Sequence, residues 1–377
     1  MRPAAAERAA AAPADELDRR FMAAALRLGE RGLGRTWPNP SVGAIAVSDG
    51  RVVGRGWTAD GGHPHAEVTA LKEAGEKARG ATLYVSLEPC SHFGKTGPCA
   101  LVIIEAGVAR VVTAMEDPNP LVAGNGHLWL ERAGLSVVTG VGEAEARRIN
   151  AGHITRMVKK RPHVTLKLAI SSDGKAGLAG RRPARITGDE TRDAVHMMRA
   201  RSDAIAVGIS TIFSDDPLLT CRLPGMEAYS PVRVVFDSML RISPSSQMVV
   251  SAREVAVWVV TESGASGDAA RLLAPHGVEV IRTTLSEQGL DLEAALQILA
   301  KRGVSRLMVE GGPTLARSFL QNGFVDEAVI FQSSEALGAD GIDALPGEIA
   351  AVMSGAGLTR RGRRDLGGDV MLSFGRD

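Results

Sequence analysis

Cysteine is scarce in this sequence, since the 377 residues include only Cys90, Cys99 and Cys221. So few cysteines exclude the disulfide framework of a small secreted protein and favour a reducing compartment, the cytoplasm. No apolar run reaches the roughly 18 to 20 residues of a membrane span, so no transmembrane helix is predicted. The alanine-rich start lacks the apolar core of a secretory signal, and we expect a disordered tail over residues 1–14.

Aromatic side chains are also few, and the net charge is close to zero. Phe, Trp and Tyr make up 4% of the residues, and 44 basic residues balance 43 acidic ones to a net charge of +1. This composition offers neither a base-stacking surface nor a positive field for nucleic acid, so a small-molecule partner is expected. The motif G-x-G-x-x-G is absent, and Gly94-Lys95-Thr96 lacks the leading glycine of a phosphate loop because that position is Pro89. A Rossmann domain is therefore disfavoured.

One group of residues carries the chemistry of a zinc site. His65-Ala66-Glu67 is followed by Pro89-Cys90 and, after eight further residues, by Cys99. Zinc binds nitrogen and sulfur, and three protein ligands leave a fourth position for a water whose pKa the metal lowers to about 7. The order matches the H-x-E and P-C-x-x-C signature of zinc deaminases, although eight residues separate the cysteines instead of two. The plainer alternative is a buried histidine with two inert thiols.

The sequence predicts a helix that begins near Pro64 and carries both His65 and Glu67. The two residues would then lie about 200° apart around the helix axis. One side chain could bind metal while the other reaches the bound water, which makes Glu67 a proton shuttle rather than a ligand.

Strands and helices alternate from residue 15 to about residue 157, which predicts a three-layer α/β sandwich. Lys159-Lys160-Arg161-Pro162 is a basic break that ends in proline, and a predicted strand follows it. We place the domain boundary there, between residues 15–161 and 162–377. The second half again alternates but lacks H-x-E and a cysteine pair, so the halves are not repeats and should act differently.

A second candidate site lies at Val309-Glu310-Gly311-Gly312-Pro313-Thr314-Leu315. This segment combines a strand end, two glycines and a helix start with proline near its first position. Such a helix N-terminus can bind an anion, including the phosphates of a dinucleotide. An ordinary strand-to-helix turn is an equally good interpretation of these residues alone.

From about residue 16 to the end, the chain resembles the family of bifunctional riboflavin-biosynthesis proteins, a pyrimidine deaminase fused to a reductase. The resemblance rests on motifs in family order, namely Pro38-Asn39-Pro40, His65-Ala66-Glu67, Glu88-Pro89-Cys90-Ser91-His92, Gly97-Pro98-Cys99, Asp117-Pro118-Asn119-Pro120, Asp215-Asp216-Pro217 and Glu310-Gly311-Gly312-Pro313-Thr314. It implies a cytidine-deaminase-like first domain with a three-layer α/β/α fold and a second α/β domain similar to dihydrofolate reductase.

For the first domain, the resemblance implies that His65, Cys90 and Cys99 hold Zn²⁺ and that Glu67 moves the proton. The substrate would be a diaminopyrimidinone carrying a ribosylamino 5′-phosphate. The residues expected to contact it are Asn39, His92, Lys95, Asp117 and Asn119. The family often has an acidic residue soon after the second cysteine, where this chain has Leu101.

For the second domain, the resemblance implies reduction of the ribosyl group to ribityl by NADPH. The expected cofactor contacts are Ala169, Thr211, Asp215, Ser238, Gly312, Pro313, Thr314, Leu315, Ala316, Arg317 and Ser318. The expected substrate contacts are Arg199, Leu219, Arg222 and Glu310, the two arginines being able to hold a phosphate.

One stretch departs from the family pattern. Serine, any residue and tryptophan often precede an Ile-Thr pair, but this chain has Pro183-Ala184-Arg185 there. Binding at that edge must differ, with Pro183 on the substrate side and Arg185 able to meet a cofactor phosphate.

Two rival functions remain open from the sequence. The first domain could deaminate nucleic-acid bases, or the deaminase alone could be active beside a nucleotide-binding or dimer-forming module. We also expect a homo-oligomer, a dimer or tetramer.

Overall fold

The computed structural model describes residues 15–94, 97–181, 185–287 and 289–376. These residues form two compact units that divide after Lys159. The expected tail at residues 1–14 and two expected site residues, Lys95 and Pro183, lie outside the described residues. Within the described ranges, no helix has the length and hydropathy that crossing a membrane requires.

The first unit is a five-stranded sheet with helices on both faces. Strands β1 to β5 are Gly43–Ser48, Arg51–Trp57, Thr82–Val85, Arg110–Thr113 and Ser136–Val138. Helices α1 to α6 are Glu16–Glu30, Ala66–Ala74, Cys99–Glu105, Asn125–Arg132, Glu143–Ile149 and Ala151–Lys159. The strand order is β2-β1-β3-β4-β5, antiparallel around β1 and parallel from β3 to β5. Helix α1 packs with α5, whereas α2 packs with α3 and α3 with α4. The three-layer prediction is confirmed.

Two glycines let helices lie directly against this sheet. A Cβ atom at Gly43 would stand 2.0 Å from the carbonyl oxygen of Ala25 in α1, and one at Gly56 would stand 2.3 Å from that of Ala66 in α2. Only a residue without a side chain allows such an approach. Because Ala66 is the first residue of α2, the contact at Gly56 also sets the height of Glu67 above the sheet.

Helix α1 begins at Glu16 because Asp15 caps it, accepting a hydrogen bond of 2.7 Å from the Asp18 N–H. The buried Asp18 carboxylate also accepts two bonds of 2.7 Å from Arg110 and one of 2.9 Å from the Tyr84 hydroxyl. The bonds from Arg110 lower the pKa of Asp18 despite its burial. This network ties α1 to β3 and β4.

The second unit contains a nine-stranded sheet. Strands β6 to β18 are His163–Ile170, Lys175–Leu178, Ala204–Gly208, Val232–Phe236, Val257–Glu262, Glu279–Thr283, Leu285–Ser286, Gly289–Leu290, Arg306–Val309, Glu327–Gln332, Gly341–Asp343, Thr359–Leu366 and Asp369–Gly375. Helices α7 to α13 are Asp189–Ala200, Ile209–Asp215, Gln247–Val250, Gly267–Leu273, Leu292–Lys301, Pro313–Gln321 and Ile349–Gly355. The large sheet runs β11-β10-β9-β8-β14-β6-β15-β18-β17 and is parallel from β11 to β15. Strands β18 and β17 add to it antiparallel.

The structure differs from the elements predicted from the sequence in several places. The sequence predicts one helix from Glu143 to Met157, but the structure breaks it at Asn150, whose side-chain amide donates to the carbonyl oxygen of Ala146 at 3.0 Å. The sequence did not predict the hairpin of β17 and β18. Strand β17 is a mostly exposed edge strand with four arginines and shows no apolar alternation.

Candidate functional site

Three potential metal ligands from distant parts of the first unit meet. His65 Nδ1 lies 3.2 Å from Cys99 Sγ and 3.7 Å from Cys90 Sγ, and the three donor atoms lie within 4.8 Å of one another. The backbone N–H of Cys99, the first residue of α3, donates to Cys90 Sγ at 3.2 Å. Hydrogen bonds from the Cys99 thiol and from His65 hold the pKa of the Cys90 thiol well below its usual range. One nitrogen and two sulfurs this close together suit zinc and leave a fourth position open.

The sequence predicted that His65 lies inside a helix, and this prediction is wrong. His65 is the N-cap of α2, with extended backbone at φ −71° and ψ 159°, and the helix begins at Ala66. The 200° separation calculated for two helical residues is therefore wrong. The extended backbone at His65 and the first turn of α2 still bring His65 and Glu67 to one cavity. Glu67 is 4% exposed, and burial raises its pKa to about 7.

This cavity has a volume of about 270 Å³ and lies at one edge of the sheet. Strands β3 and β4 are parallel neighbours, with Val85 opposite Thr113, so the segments that follow them share that edge. The expected site residues among its lining are Asn39, His65, Glu67, Cys90, His92, Asp117 and Asn119. Cys99 is buried beside His65.

Glu88 joins the segment of Cys90 to the segment of Asp117. Its carboxylate is 3% exposed and accepts four backbone hydrogen bonds, from Asp117 and Gly124 at Oε2 and from Gly126 and His127 at Oε1. The donor–acceptor distances are 3.1, 2.9, 2.8 and 3.3 Å respectively. Burial raises the pKa of Glu88, and the four N–H donors oppose that rise.

Sequence reasoning missed three further residues that line the cavity, His63, His153 and Arg156. The His63 ring stacks on that of His65 at 4.9 Å, and its Nε2 lies 3.3 Å from Asn39 Nδ2. His153 and Arg156 are three residues apart on α6 and so share one helix face. That spacing was a usable signal, but nothing local indicated which elements the face would meet.

A largely buried ion cluster lies in the second unit at the carboxyl end of β14, beside the middle of β6. Val309 of β14 lies opposite Leu166 of β6, so Glu310 follows its strand beside Lys167. Glu310 accepts one bond of 3.0 Å from Lys167 and two of 3.0 Å from Arg199 on α7. Burial would raise the pKa of Glu310, but the two cations outweigh it and lower the pKa to about 2. Sequence reasoning assigned no role to Lys167.

The residues expected to contact the cofactor lie mainly around the start of α12. Gly312 is the N-cap and Pro313 the first helical residue, as predicted. A Cβ atom at Gly312 would stand 3.9 Å from Thr211 Oγ1. A second cavity of about 260 Å³ is lined by Ser238, Leu315 and Ser318.

The other expected cofactor contacts are spread over several elements. Ala169 lies in β6, and Asp215 is the last residue of α8. Within α12, Ala316 is buried, whereas Thr314 and Arg317 are exposed.

Three expected residues have surroundings that qualify their predicted roles. The Leu219 side chain is 3% exposed and packs in the hydrophobic core, so any substrate contact would come from its backbone. Arg222 is exposed, and its backbone N–H donates to His196 Nδ1 at 3.3 Å. Arg185 is exposed and pairs with Asp189 at 2.9 Å, so its phosphate contact remains a prediction.

Two known protein families match separate parts of this chain. Residues 15–115 match the family described as "Cytidine and deoxycytidylate deaminase zinc-binding region", and residues 162–365 match the "RibD C-terminal domain". The riboflavin biosynthesis protein RibD of Aquifex aeolicus is 40% identical over 96% of this chain and 99% of its own length. The RibD of Escherichia coli is 41% identical over 88% of this chain and 92% of its own length.

Two solved structures are similar over nearly the whole chain. RibD of Acinetobacter baumannii has a TM-score of 0.86 at 34% identity. A Thermotoga maritima protein named as a diaminohydroxyphosphoribosylaminopyrimidine deaminase/5-amino-6-(5-phosphoribosylamino)uracil reductase has a TM-score of 0.83 at 35% identity. Each covers 96% of this chain and 99% of its own.

The fold and the donor set define a two-domain enzyme in which a zinc-binding deaminase precedes a reductase. The matches that cover nearly the whole length of the relatives specify the family within this class. The chain belongs to the RibD family of bifunctional riboflavin biosynthesis proteins.

Proposed function

We propose that the first unit hydrolytically deaminates 2,5-diamino-6-(5-phosphoribosylamino)pyrimidin-4(3H)-one and that the second reduces the ribosyl side chain of the product with NADPH. The observation that carries the proposal is the meeting of His65, Cys90 and Cys99 beside the buried carboxyl group of Glu67. The reaction names of the Thermotoga maritima relative support the same pair of activities.

In the deaminase site, His65, Cys90 and Cys99 would hold zinc, since their donor atoms are close enough to share one ion. Bound there, zinc supplies a Lewis acid that activates water for attack on the amino-bearing ring carbon. Glu67 would take a proton from the attacking water and pass it to the leaving amine, a role worth about 10² to 10⁴ in rate. Asn39, His92, Asp117 and Asn119 orient the substrate, because all four line the same cavity. Lys95, between two of the ligands in sequence, stays a predicted phosphate contact.

In the reductase site, the residues around Gly312 would hold NADPH. The fit rests on a helix N-terminus that no side chain of the described residues caps, and on three expected contact residues that line one cavity. NADPH supplies the hydride. Glu310 is held ionised by Lys167 and Arg199 and can accept a hydrogen bond from the substrate, while the exposed Arg222 can meet its phosphate.

Thiol ligands need a reducing compartment, and we propose the cytoplasm. The expected homo-oligomer stays a prediction.

The test is to incubate zinc-loaded protein with the pyrimidine phosphate and NADPH. We expect ammonia release followed by NADPH oxidation. Glu67→Gln should keep its zinc and lose ammonia release, yet still oxidise NADPH when given the deaminated intermediate. Ammonia release without NADPH oxidation would instead favour an active deaminase beside an inactive module.

A further inference from the structure

The carboxylate of Asp117 uses only one of its two oxygens within the protein. Oδ1 accepts a hydrogen bond of 2.8 Å from the Asn119 backbone N–H and one of 2.8 Å from His153 Nε2. Among the described residues, none donates a hydrogen bond to Oδ2. This oxygen is also not one of the fully buried polar atoms that lack a partner, so it is not sealed inside the protein. Because Asp117 lines the first cavity, this second oxygen is accessible to a molecule bound there.

His153 is the side chain that binds Oδ1 of Asp117 and leaves Oδ2 without a protein partner among the described residues. It lies in α6, is 6% exposed and contacts the cavity. An ionised carboxylate only accepts hydrogen bonds, so His153 must carry a proton on Nε2. Its Nδ1 is buried and, within the described ranges, has no hydrogen-bond partner.

The two donors differ in what they can fix. The Asn119 N–H belongs to the same short loop as Asp117 and moves with it. His153 comes from a helix 36 residues later in the sequence. Because the terminal torsion of an aspartate has a broad energy minimum, a donor on a separate rigid element is needed to hold one orientation.

We propose that His153 is a positioning residue of the deaminase site, which holds Asp117 so that its Oδ2 accepts a hydrogen bond from an N–H or O–H group of the pyrimidine substrate. The inference rests on the proposed function of the first unit and assigns His153 no contact with the reacting atoms. It predicts that His153 affects substrate affinity more than the rate of the chemical step.

Two variants separate the hydrogen bond from the ring. His153→Phe keeps the ring and removes the donor, whereas His153→Gln keeps an N–H at the position of Nε2. We expect His153→Phe to raise KM for ammonia release about tenfold to a hundredfold, the range for a hydrogen bond to a charged group, and to change kcat less than about threefold. His153→Gln should restore KM to within about threefold. Calorimetric binding of the substrate to zinc-loaded Glu67→Gln protein, with and without His153→Phe, should give the same ratio in Kd.

A double mutant tests whether the effect passes through Asp117. In an Asp117→Asn background, His153→Phe should change KM less than about twofold, because the oriented carboxylate is already gone. Multiplying effects would overturn the proposal, as would an unchanged KM and Kd in His153→Phe, or a failure of His153→Gln to restore them. Unmodified protein that releases no ammonia refutes the proposed function and with it this role. Normal release with unaltered affinity in His153→Phe refutes the role of His153 alone.

Discussion

Replacing Glu88 with glutamine should weaken both the fold of the first unit and its substrate binding. The carboxylate accepts two backbone N–H groups at each oxygen. Glutamine keeps one oxygen and replaces the other with an NH₂ group, which cannot accept a hydrogen bond. One pair of N–H groups therefore loses its acceptor and faces a donor.

The magnitude follows from that count. A buried donor left without a partner costs about 1 to 3 kcal/mol, so two cost about 2 to 6 kcal/mol before the loop relaxes. We expect the free energy of unfolding of the first unit to fall by about 2 to 4 kcal/mol. The N–H of Asp117 belongs to one of the two pairs, so we also expect KM for ammonia release to rise.

The assay is calorimetric unfolding of the zinc-loaded protein together with ammonia-release kinetics. Glu131→Gln is the matched control, because Glu131 is exposed on α4 and the chemical change is the same. Zinc content should stay unchanged in both variants, since no ligand is altered. If Glu88→Gln unfolds at the same temperature as Glu131→Gln and has an unaltered KM, the four hydrogen bonds do not hold the loop and the reasoning is wrong.

Cys99→Ala should lower the zinc content measured by elemental analysis, and unchanged stoichiometry would count against Cys99 as a ligand. Glu310→Gln removes the charge that pairs with Arg199, so NADPH oxidation should fall at least about tenfold while ammonia release persists; equal loss of both would contradict a role confined to the reductase. Asp18→Asn should lower the melting temperature at pH 7, because the pKa of Asp18 is lowered by Arg110 in the folded state. That stabilisation is present above the carboxyl group's unfolded pKa and is lost as pH falls through the folded one. The two proteins should therefore melt alike in strong acid, and a gap that persists there would refute the assignment.

The chemistry of the first site could be predicted from the sequence because zinc ligands are recognised by residue type and spacing. The pattern of His65, Cys90 and Cys99 predicts a metal site without any knowledge of the fold. The role of Glu67 as proton shuttle follows from its place two residues after His65. The backbone at His65 could not be predicted in the same way. Whether a residue caps a helix or lies within it depends on local dihedral angles that the motif does not specify.

Partners from distant segments were beyond prediction. Glu88 begins the motif Glu88-Pro89-Cys90-Ser91-His92, but the motif does not identify its four N–H donors. They come from a loop whose position depends on the pairing of β3 with β4. His153 reaches Asp117 only because α6 packs at the same edge of the sheet. Likewise, Lys167 and Glu310 are 143 residues apart and meet through the register of β6 with β14.

By itself, the sequence determined the alternation of strands and helices in the first domain and the atoms that can bind metal, because these depend on local pattern and side-chain type. The chemistry of the second domain was indicated only by its resemblance to a known family. The tertiary structure alone decided which carboxylates are held by backbone, which are paired with cations and which oxygen of Asp117 remains available. Those outcomes depend on strand register and helix packing, which bring together groups that no local spacing relates.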